Sequence, residues 1–268
     1  MAFFWPDAKI ACAVGGPIRR EEFRGLTRGG VIIQHFLALC LIVIGPIWDQ
    51  FEIRKLKTST DPRRKLKFYW LTIGWTWTLS AIACATVGWP QIFGMHADPR
   101  DIGWIPSGNG ARLFMVGVLV AFIAGVMVPV LLARRSPRYA AGIEKALAGM
   151  RFILPATTDE RWWWVLISAT AGIGEEILYR GFLIQYFQRG PLHARLIVAV
   201  ALACVAFGIA HMYQGLKGVL GTAFLGVVFS AIFVVTGNLL LAMILHFLID
   251  LRILLLLPAD DRLNLESV

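Results

Sequence analysis

The chain has 268 residues, of which 57% are hydrophobic and 16% are charged, and its mean hydropathy is +0.67. Average soluble domains are roughly 45–50% apolar and about 25% charged. The composition therefore argues against a soluble enzyme, a disordered tail and a disulfide-stapled secreted domain, and it indicates a membrane protein. The net charge of +9 is compatible with nucleic-acid binding. Basic cytoplasmic loops explain it better in a membrane chain, so we expect no nucleic-acid partner.

The N-terminus and the cysteines do not point to any function beyond that of a membrane protein. Residues 1–16 lack a basic stretch ahead of an apolar run, so we predict a short interfacial segment there rather than a cleavable signal peptide. The four cysteines are far apart and show no CxxC spacing: Cys12, Cys40, Cys84 and Cys204. This pattern argues against a zinc knuckle or a redox pair, and we expect small core or lipid-facing thiols.

Seven apolar segments approach the length of about 20 residues that a membrane-spanning helix needs. They lie at 30–49, 68–90, 113–133, from 162 onward, 194–212, 218–236 and 239–257. The first is the weakest, because Gln34, His35 and a Gly45-Pro46 pair interrupt it. Residues 236–238 predict a tight turn between the last two. The predicted fold is an all-α, polytopic membrane helix bundle of seven or eight transmembrane helices, the eighth being hidden in a loop.

Charge in the loops predicts the orientation of the bundle. Lysine and arginine are frequent in 52–67 and 134–161, whereas Arg100 is the only lysine or arginine in 91–111. The positive-inside rule then places 52–67 and 134–161 in the cytoplasm. Residues 140–155 are a candidate interfacial helix. Four arginines before the first span conflict with simple alternation: Arg19, Arg20, Arg24 and Arg28.

Ionisable residues interrupt the apolar segments between 162 and 257. They are Glu175, Glu176, Arg180, His211, His246, Asp250 and Arg252. A charge at the bilayer centre costs about 2.5–3.5 kcal/mol on insertion scales. We therefore expect these side chains to face one another or a water-filled cavity, and ionisable groups inside a membrane indicate function.

Helical spacing groups these residues into pairs. Glu176 and Arg180 are i,i+4 neighbours that can form an ion pair, while Glu175 points about 100° away from Glu176. The ion pair could also have a purely structural role and only stabilise the helix bundle.

Two further pairs carry histidines. Phe207 and His211 share one helical face, although a single histidine at a helix end is often only a satisfied polar residue. His246 and Asp250 are again i,i+4 neighbours. There the carboxylate could merely orient the imidazole, or the pair could bind zinc.

Taken together, these residues suit peptide hydrolysis. The reaction needs a base for water, a partner for that water and donors for the developing oxyanion. Glu175 can be the base, His211 can bind the same water, and His246 can donate to the oxyanion, with Asp250 fixing the tautomer of His246. No recognisable motif places a serine or cysteine nucleophile, and the chain has no HExxH zinc motif.

The three motifs resemble the CPBP family of CAAX prenyl proteases and bacteriocin-processing enzymes, also called the Abi family. Its pattern is EExxxR, then FxxxH, then HxxxN or HxxxD. Here EEILYR lies at 175–180, FGIAH at 207–211 and HFLID at 246–250. The resemblance covers about 165–255 and implies a glutamate-dependent intramembrane endopeptidase with an all-helical core.

The resemblance also implies roles for the motif residues. Glu175 and His211 would activate water, and His246 with Asp250 would form the oxyanion side. The supporting residues would be Glu176, Arg180 and Phe207. Asp250 stands where the family can have asparagine, and an ionised aspartate cannot donate a hydrogen bond. It must therefore be protonated or act by orienting His246.

The implied organisation is 1–160 for N-terminal membrane helices and basic loops, 161–257 for the catalytic core and 258–268 for a short tail. The expected partners are the lipid bilayer and a peptide or protein substrate at the membrane, such as a prenylated tail, a bacteriocin leader or a C-terminal sorting segment. The expected location is the bacterial inner (plasma) membrane, as an integral multi-pass protein. No cofactor or metal is expected, with zinc at Glu175, His211 and His246 as the alternative.

Two other functions compete with the protease. One is a catalytically inactive protein of the same fold that acts in bacteriocin immunity or as a scaffold. The other is a transporter or ion pathway that uses the same buried charges. The segments 68–90 and 113–133 carry no charge within their apolar spans, which argues against the transporter.

Overall fold

The computed structural model describes residues 28–61, 63–94 and 108–257. Within these ranges the chain is helical and contains no strand, so the all-α prediction is confirmed there. The expected interfacial segment at 1–16, Cys12, three of the N-terminal arginines, Arg100 and the tail 258–268 lie outside the described residues. The predicted boundary at 160/161 stays a prediction.

The described helices follow one another with short connections. The N-terminal ones are α1 (Arg28–Leu39), a π-helical turn (Cys40–Ile44), α2 (Gly45–Thr58), α3 (Arg64–Val87), α4 (Trp89–Phe93), α5 (Asn109–Arg135) and α6 (Pro137–Leu147). The C-terminal ones are α7 (Thr158–Thr170), a long π-helix (Ala171–Leu183), α8 (Ile184–Arg189), α9 (Leu196–Ala210), α10 (Gly215–Thr236), α11 (Leu240–Leu251) and α12 (Ile253–Leu256). Short 3₁₀ turns lie at Ala148–Met150 and Met212–Gln214.

Four helices in the described ranges are long and apolar enough to cross a membrane. They are Gly29–Thr58, Arg64–Val87, Asn109–Arg135 and Met212–Thr236, which correspond to the first, second, third and sixth predicted spans. The other three predicted spans fall on charged or shorter helices: α7 with the long π-helix, α9 of 15 residues and α11 of 12 residues. The predicted count of seven or eight spans is not confirmed.

The first span continues through the residues that made it look weak. The π-helical turn precedes the Gly45-Pro46 pair, and Pro46 occupies the first turn of α2, where a missing N–H is tolerated. Gln34 donates from Nε2 to the Thr86 carbonyl at 3.1 Å. His35 Nδ1 lies 2.9 Å from the Tyr186 hydroxyl. These polar groups therefore tie α1 to α3 and α8.

The main hydrophobic core surrounds the long π-helix, which packs against α3, α9 and α11. Its fully buried side chains include Phe182, Leu183, Phe207 and Phe233. Large apolar side chains on the outer surface, such as Ile32, Leu113 and Phe224, are exposed. Exposed apolar surface on this scale marks a membrane or protein contact, as the composition predicts.

The two basic segments meet at one end of the bundle. A capping box of Thr157 and Glu160 starts α7, and the Lys65 ammonium group lies 2.9 Å from a Glu160 carboxylate oxygen. The Tyr69 hydroxyl donates to the Ile153 carbonyl at 2.5 Å. These contacts place 52–67 beside the end of 134–161, while the membrane side that they face stays a prediction.

Two smaller features follow the sequence pattern. Helix α6, which overlaps the first half of the candidate interfacial segment 140–155, has no buried residue. The predicted turn between the last two segments is formed by Gly237, whose φ of 67° is in the left-handed region, and by Asn238, whose Oδ1 accepts from the Leu240 N–H at 2.7 Å. This turn returns the chain so that α11 packs against α10 and the long π-helix.

Candidate active site

The three motifs meet at one cavity of about 360 Å³ inside the helix bundle. Glu175 from the long π-helix, His211 at the end of α9, and His246 and Asp250 from α11 all line it. The cavity therefore brings together the four side chains that the sequence selected for chemistry.

Glu176 forms the buried centre of the site. Its Oε1 accepts from Arg180 Nη1 at 3.0 Å and from His246 Nδ1 at 2.8 Å. The Glu176 and Arg180 side chains are 0% and 1% exposed, so the predicted i,i+4 ion pair is present and shielded from solvent. Burial of a charge is tolerated when the partner and the hydrogen bonds are in place, and the third group here is the imidazole.

Glu175 occupies a different environment from its neighbour. Its side chain is 23% exposed, and its Oε2 lies 3.9 Å from His246 Nε2. That oxygen is itself buried and has no hydrogen-bond partner in the described part of the chain. An unsatisfied buried oxygen of this kind calls for an explanation. Its position on the cavity wall allows it to accept from a water or a substrate.

His211 has a defined tautomer. Its Nδ1 lies 2.8 Å from the Phe207 carbonyl oxygen, which can only accept, so Nδ1 carries the hydrogen. In the neutral ring Nε2 is then an acceptor. The ring also packs edge-on against the Phe207 ring, with 4.9 Å between centroids. In the FGIAH motif, the contact with Phe207 thus leaves His211 Nε2 with a lone pair, and His211 lines the cavity.

The residue that orients the His246 ring differs from the sequence expectation, which named Asp250. His246 Nδ1 donates its hydrogen bond to Glu176, whereas Asp250 Oδ2 lies 3.6 Å from Nε2. The Asp250 side chain is 33% exposed. Its backbone carbonyl accepts from Trp164 Nε1 at 3.1 Å, which ties α11 to α7. Asp250 is therefore close to the histidine edge that faces Glu175.

Aromatic rings enclose the charged centre. The Arg180 guanidinium carbon lies 4.2 Å from the Phe207 ring centroid and 5.5 Å from that of Phe229. Phe229 also stacks on His246 with 5.0 Å between centroids. Sequence reasoning missed Phe229, because nothing in the apolar run of α10 distinguishes it from its neighbours.

The N-terminal half also contributes to the cavity. Asp49 of α2 lines it and interacts electrostatically with Glu175. Tyr213, Gln214 and Arg252 line it as well. Sequence reasoning overlooked Asp49, although an ionisable residue at the end of the first apolar segment was the available signal.

The zinc alternative at Glu175, His211 and His246 stays a prediction. No group of three His, Cys, Asp or Glu side chains in the described ranges has an arrangement that could hold a metal ion.

Residues 157–252 match the family model Rce1-like, described as type II CAAX prenyl endopeptidase Rce1-like. The resemblance to the CPBP family that the three motifs predict is thereby confirmed, and the Rce1-like region contains every motif residue. No curated protein and no solved structure matches the chain. The apolar helices and the Rce1-like match together support an integral membrane protein.

Proposed function

We propose that the chain is an intramembrane endopeptidase that hydrolyses a membrane-associated peptide or protein near one terminus. The observation that supports this most strongly is the convergence of Glu175, His211 and His246 from three helices on one cavity. The Rce1-like match to a family described as an endopeptidase agrees with it. Ionisable groups inside a membrane protein are energetically costly and usually functional. A hydrolytic site would assign a chemical role to each of these side chains.

In the proposed first step, water attacks the carbonyl carbon of the scissile peptide bond. Glu175 accepts one proton of the water as the new carbon–oxygen bond forms. His211 offers its Nε2 lone pair to the other hydrogen of the same water, because its Nδ1–H is committed to the Phe207 carbonyl. Two fixed acceptors would orient the water for attack.

The attack gives a tetrahedral intermediate with a negatively charged oxygen. In this mechanism the oxyanion faces His246. In its imidazolium form this ring donates Nδ1–H to Glu176 and has Nε2–H available for the oxyanion. The carboxylates of Glu176, Glu175 and Asp250 lie 2.8, 3.9 and 3.6 Å from its ring nitrogens and balance its charge. When the intermediate collapses, the carbon–nitrogen bond breaks and Glu175 returns the proton to the leaving nitrogen.

The expected substrate is a peptide or protein held at the membrane, in keeping with the family description. We place the protein in the bacterial inner membrane as a multi-pass protein, with the basic segments 52–67 and 134–161 on the cytoplasmic side. The meeting of those segments at one end of the bundle supports this orientation.

The experiment that tests the function replaces Glu175 by glutamine, which keeps the shape and removes the base. Cells that carry the wild type and cells that carry Glu175→Gln are compared by mass spectrometry of new peptide termini in the membrane fraction. We expect termini that depend on the wild-type protein and vanish in Glu175→Gln, with unchanged thermal unfolding in detergent.

The matched control is Asp159→Asn, which removes an exposed carboxylate from the start of α7. This variant should produce the same new termini as the wild type. Undiminished cleavage by Glu175→Gln would overturn the proposed mechanism. Retained biological protection in Glu175→Gln without any cleavage would favour the inactive immunity or scaffold protein.

A further inference from the structure

Helix α6 lies at the surface of the basic end of the bundle. None of its 11 residues is buried. Ser136 separates it from α5 and caps its first turn, because the Ser136 hydroxyl accepts from the Tyr139 N–H at 3.3 Å. Leu147 and, in the turn that follows, Met150 pack against the hydrophobic cluster that includes Tyr69 of α3. The helix is therefore held beside the start of α3 and the end of α5, with most of its residues exposed.

The side chains of α6 divide into an apolar side and a basic side. Successive residues of an α-helix are turned by about 100°, so Tyr139, Ile143 and Leu147 follow one line along the helix. Arg138 and Lys145, which are seven residues apart and both exposed, share a different line. An amphipathic helix with lysine and arginine on its polar face is typical of a segment that lies in the membrane interface.

The basic charge around α6 is not neutralised by the described part of the chain. Four exposed cations in α6 and in the last turn of α5 have no side-chain hydrogen bond and no ion pair within the described ranges. These four residues, which we call the α6 patch, are Arg134, Arg135, Arg138 and Lys145. The one acidic residue of α6, Glu144, pairs with Arg151 instead. The α6 patch therefore offers uncompensated positive charge to an anionic partner.

A shallow groove of about 530 Å³ runs along α6 beside the patch. It is lined by Ser136, Arg138, Tyr139, Gly142, Ile143 and Ala146. The groove thus combines a guanidinium group and two hydroxyl groups with small and apolar side chains. A phospholipid has the complementary parts, because its phosphate accepts hydrogen bonds from guanidinium and hydroxyl groups and its acyl chains contact apolar side chains.

We propose that the α6 patch and its groove bind the headgroups of anionic phospholipids at the membrane surface. Helix α5 is long and apolar enough to cross a membrane, and it ends in Arg134 and Arg135. Immediately before them, Leu131 and Leu132 are exposed, as lipid-facing side chains are. The patch therefore continues an apolar surface, and one phospholipid can place its chains against α5 and its phosphate at α6. The inference does not depend on the proposed catalytic function.

Lipid retention by the full-length protein tests the proposal. Protein purified in detergent is titrated with mixed micelles that contain phosphatidylglycerol or phosphatidylcholine, and the bound lipids are counted by native mass spectrometry. The wild type should retain phosphatidylglycerol in preference to phosphatidylcholine. The double variant Arg138→Gln/Lys145→Gln should bind phosphatidylglycerol at least about tenfold more weakly, because each lysine or arginine near an anionic surface strengthens binding about fivefold.

The matched control is Arg54→Gln/Lys67→Gln, which removes two exposed cations from the basic segment 52–67. These residues do not line the groove, so the control should retain phosphatidylglycerol as the wild type does. Equal weakening in the two double variants would overturn the proposal, because net charge rather than α6 would then decide the binding. Equal retention of the two lipids by the wild type would also overturn it. Thermal unfolding in phosphatidylcholine micelles should agree among the three proteins, since the replaced side chains are exposed.

Crosslinking locates the lipid and separates it from a free anion. A phosphatidylglycerol analogue with a photoactivatable headgroup should label peptides within 134–147 of the wild type, a result that decides the question even if a variant fails to fold. An excess of inorganic phosphate should not displace the analogue, since phosphate lacks the acyl chains that the apolar part of the groove contacts. Displacement by phosphate would assign the patch to a soluble anion, and labelling confined to other segments would place the lipid elsewhere. Either result overturns the proposal.

Discussion

Glu176 and His246 are joined by a 2.8 Å hydrogen bond between Oε1 and Nδ1, across 70 positions of sequence. The same oxygen accepts from Arg180. One carboxylate thus links the EEILYR motif to the HFLID motif and fixes the ring from which the proposed oxyanion donor extends. The adjacent carboxylate, Glu175, stays on the cavity wall with an unsatisfied oxygen. The two glutamates therefore lie in different environments.

Removal of the Glu176 charge should destabilise the protein as well as inactivate it. Glu176→Gln leaves the Arg180 guanidinium, which is 1% exposed, without its counter-ion. Breaking a buried pair from one side costs about 3–5 kcal/mol. We expect a loss of that order in the free energy of unfolding, measured by denaturant titration in detergent. Glu175→Gln serves as the reference and should keep the wild-type stability.

A double-mutant cycle shows whether the pair is coupled in the folded protein. Arg180→Met combined with Glu176→Leu removes both charges and keeps side chains of similar volume. The double variant should be more stable than the sum of the single variants predicts, by about 0.5–3 kcal/mol, because neither charge is left alone. Strictly additive losses would show that the ion pair does not contribute to the fold.

His246 and Asp250 should differ in their importance for the rate. Asp250 contacts the ring at 3.6 Å and is one-third exposed, and asparagine has its size and can donate a hydrogen bond. Asp250→Asn should keep the rate within about tenfold. His246→Gln removes the proposed oxyanion donor and should lower the rate about 10²–10³-fold. The rates are measured on a synthetic peptide that the wild type cleaves. Each variant is included only if its thermal unfolding in detergent matches that of the wild type.

The reverse order would assign the essential role to the carboxylate of Asp250. If Asp250→Asn lost more activity than His246→Gln, the negative charge at 250 would be essential, and His246 would be a structural member of the Glu176 cluster. The two single variants are therefore sufficient to separate the roles, since both residues belong to α11 and share the same backbone.

The sequence predicted the proximity of the candidate site residues better than the number of spans. Glu175, His211 and His246 stand out in sequence because charge in an apolar segment is costly, and the structure places them on one cavity. The partner of His246 could not be read from spacing. Asp250 is its i,i+4 neighbour, but the acceptor of its hydrogen bond is Glu176 on another helix. Long-range packing decides such pairings, and local periodicity does not encode it.

The span count illustrates the same limit. Four of the seven apolar segments form helices that meet the length and composition of a membrane span, including the first, in which polar Gln34 finds the Thr86 carbonyl. The long π-helix carries Glu175, Glu176 and Arg180 and is buried by its neighbours rather than by lipid. Hydropathy alone cannot separate a helix that faces lipid from one that lies inside the bundle.

Close packing of the long π-helix on α11 should be essential for the Glu176–His246 contact. A Cβ added at Gly172 would lie 2.7 Å from the Phe247 amide nitrogen and 2.9 Å from the Met243 carbonyl oxygen, so backbone would have to move. We expect Gly172→Ala to cost about 1–3 kcal/mol of unfolding free energy, as overpacking does. A shift of about 1 Å at the site can lower a rate about 10²-fold.

The matched control for this substitution is Gly125→Ala in α5, where an added Cβ meets no atom within 4 Å. Alanine there should be neutral or slightly stabilising, since it lowers the conformational entropy of the unfolded chain. Peptide cleavage and denaturant unfolding are measured on both variants. If Gly172→Ala were as active and stable as Gly125→Ala, the long π-helix and α11 would not approach as closely as the Glu176–His246 hydrogen bond requires. The orientation of the His246 ring would then need a cause other than the close packing of these two helices.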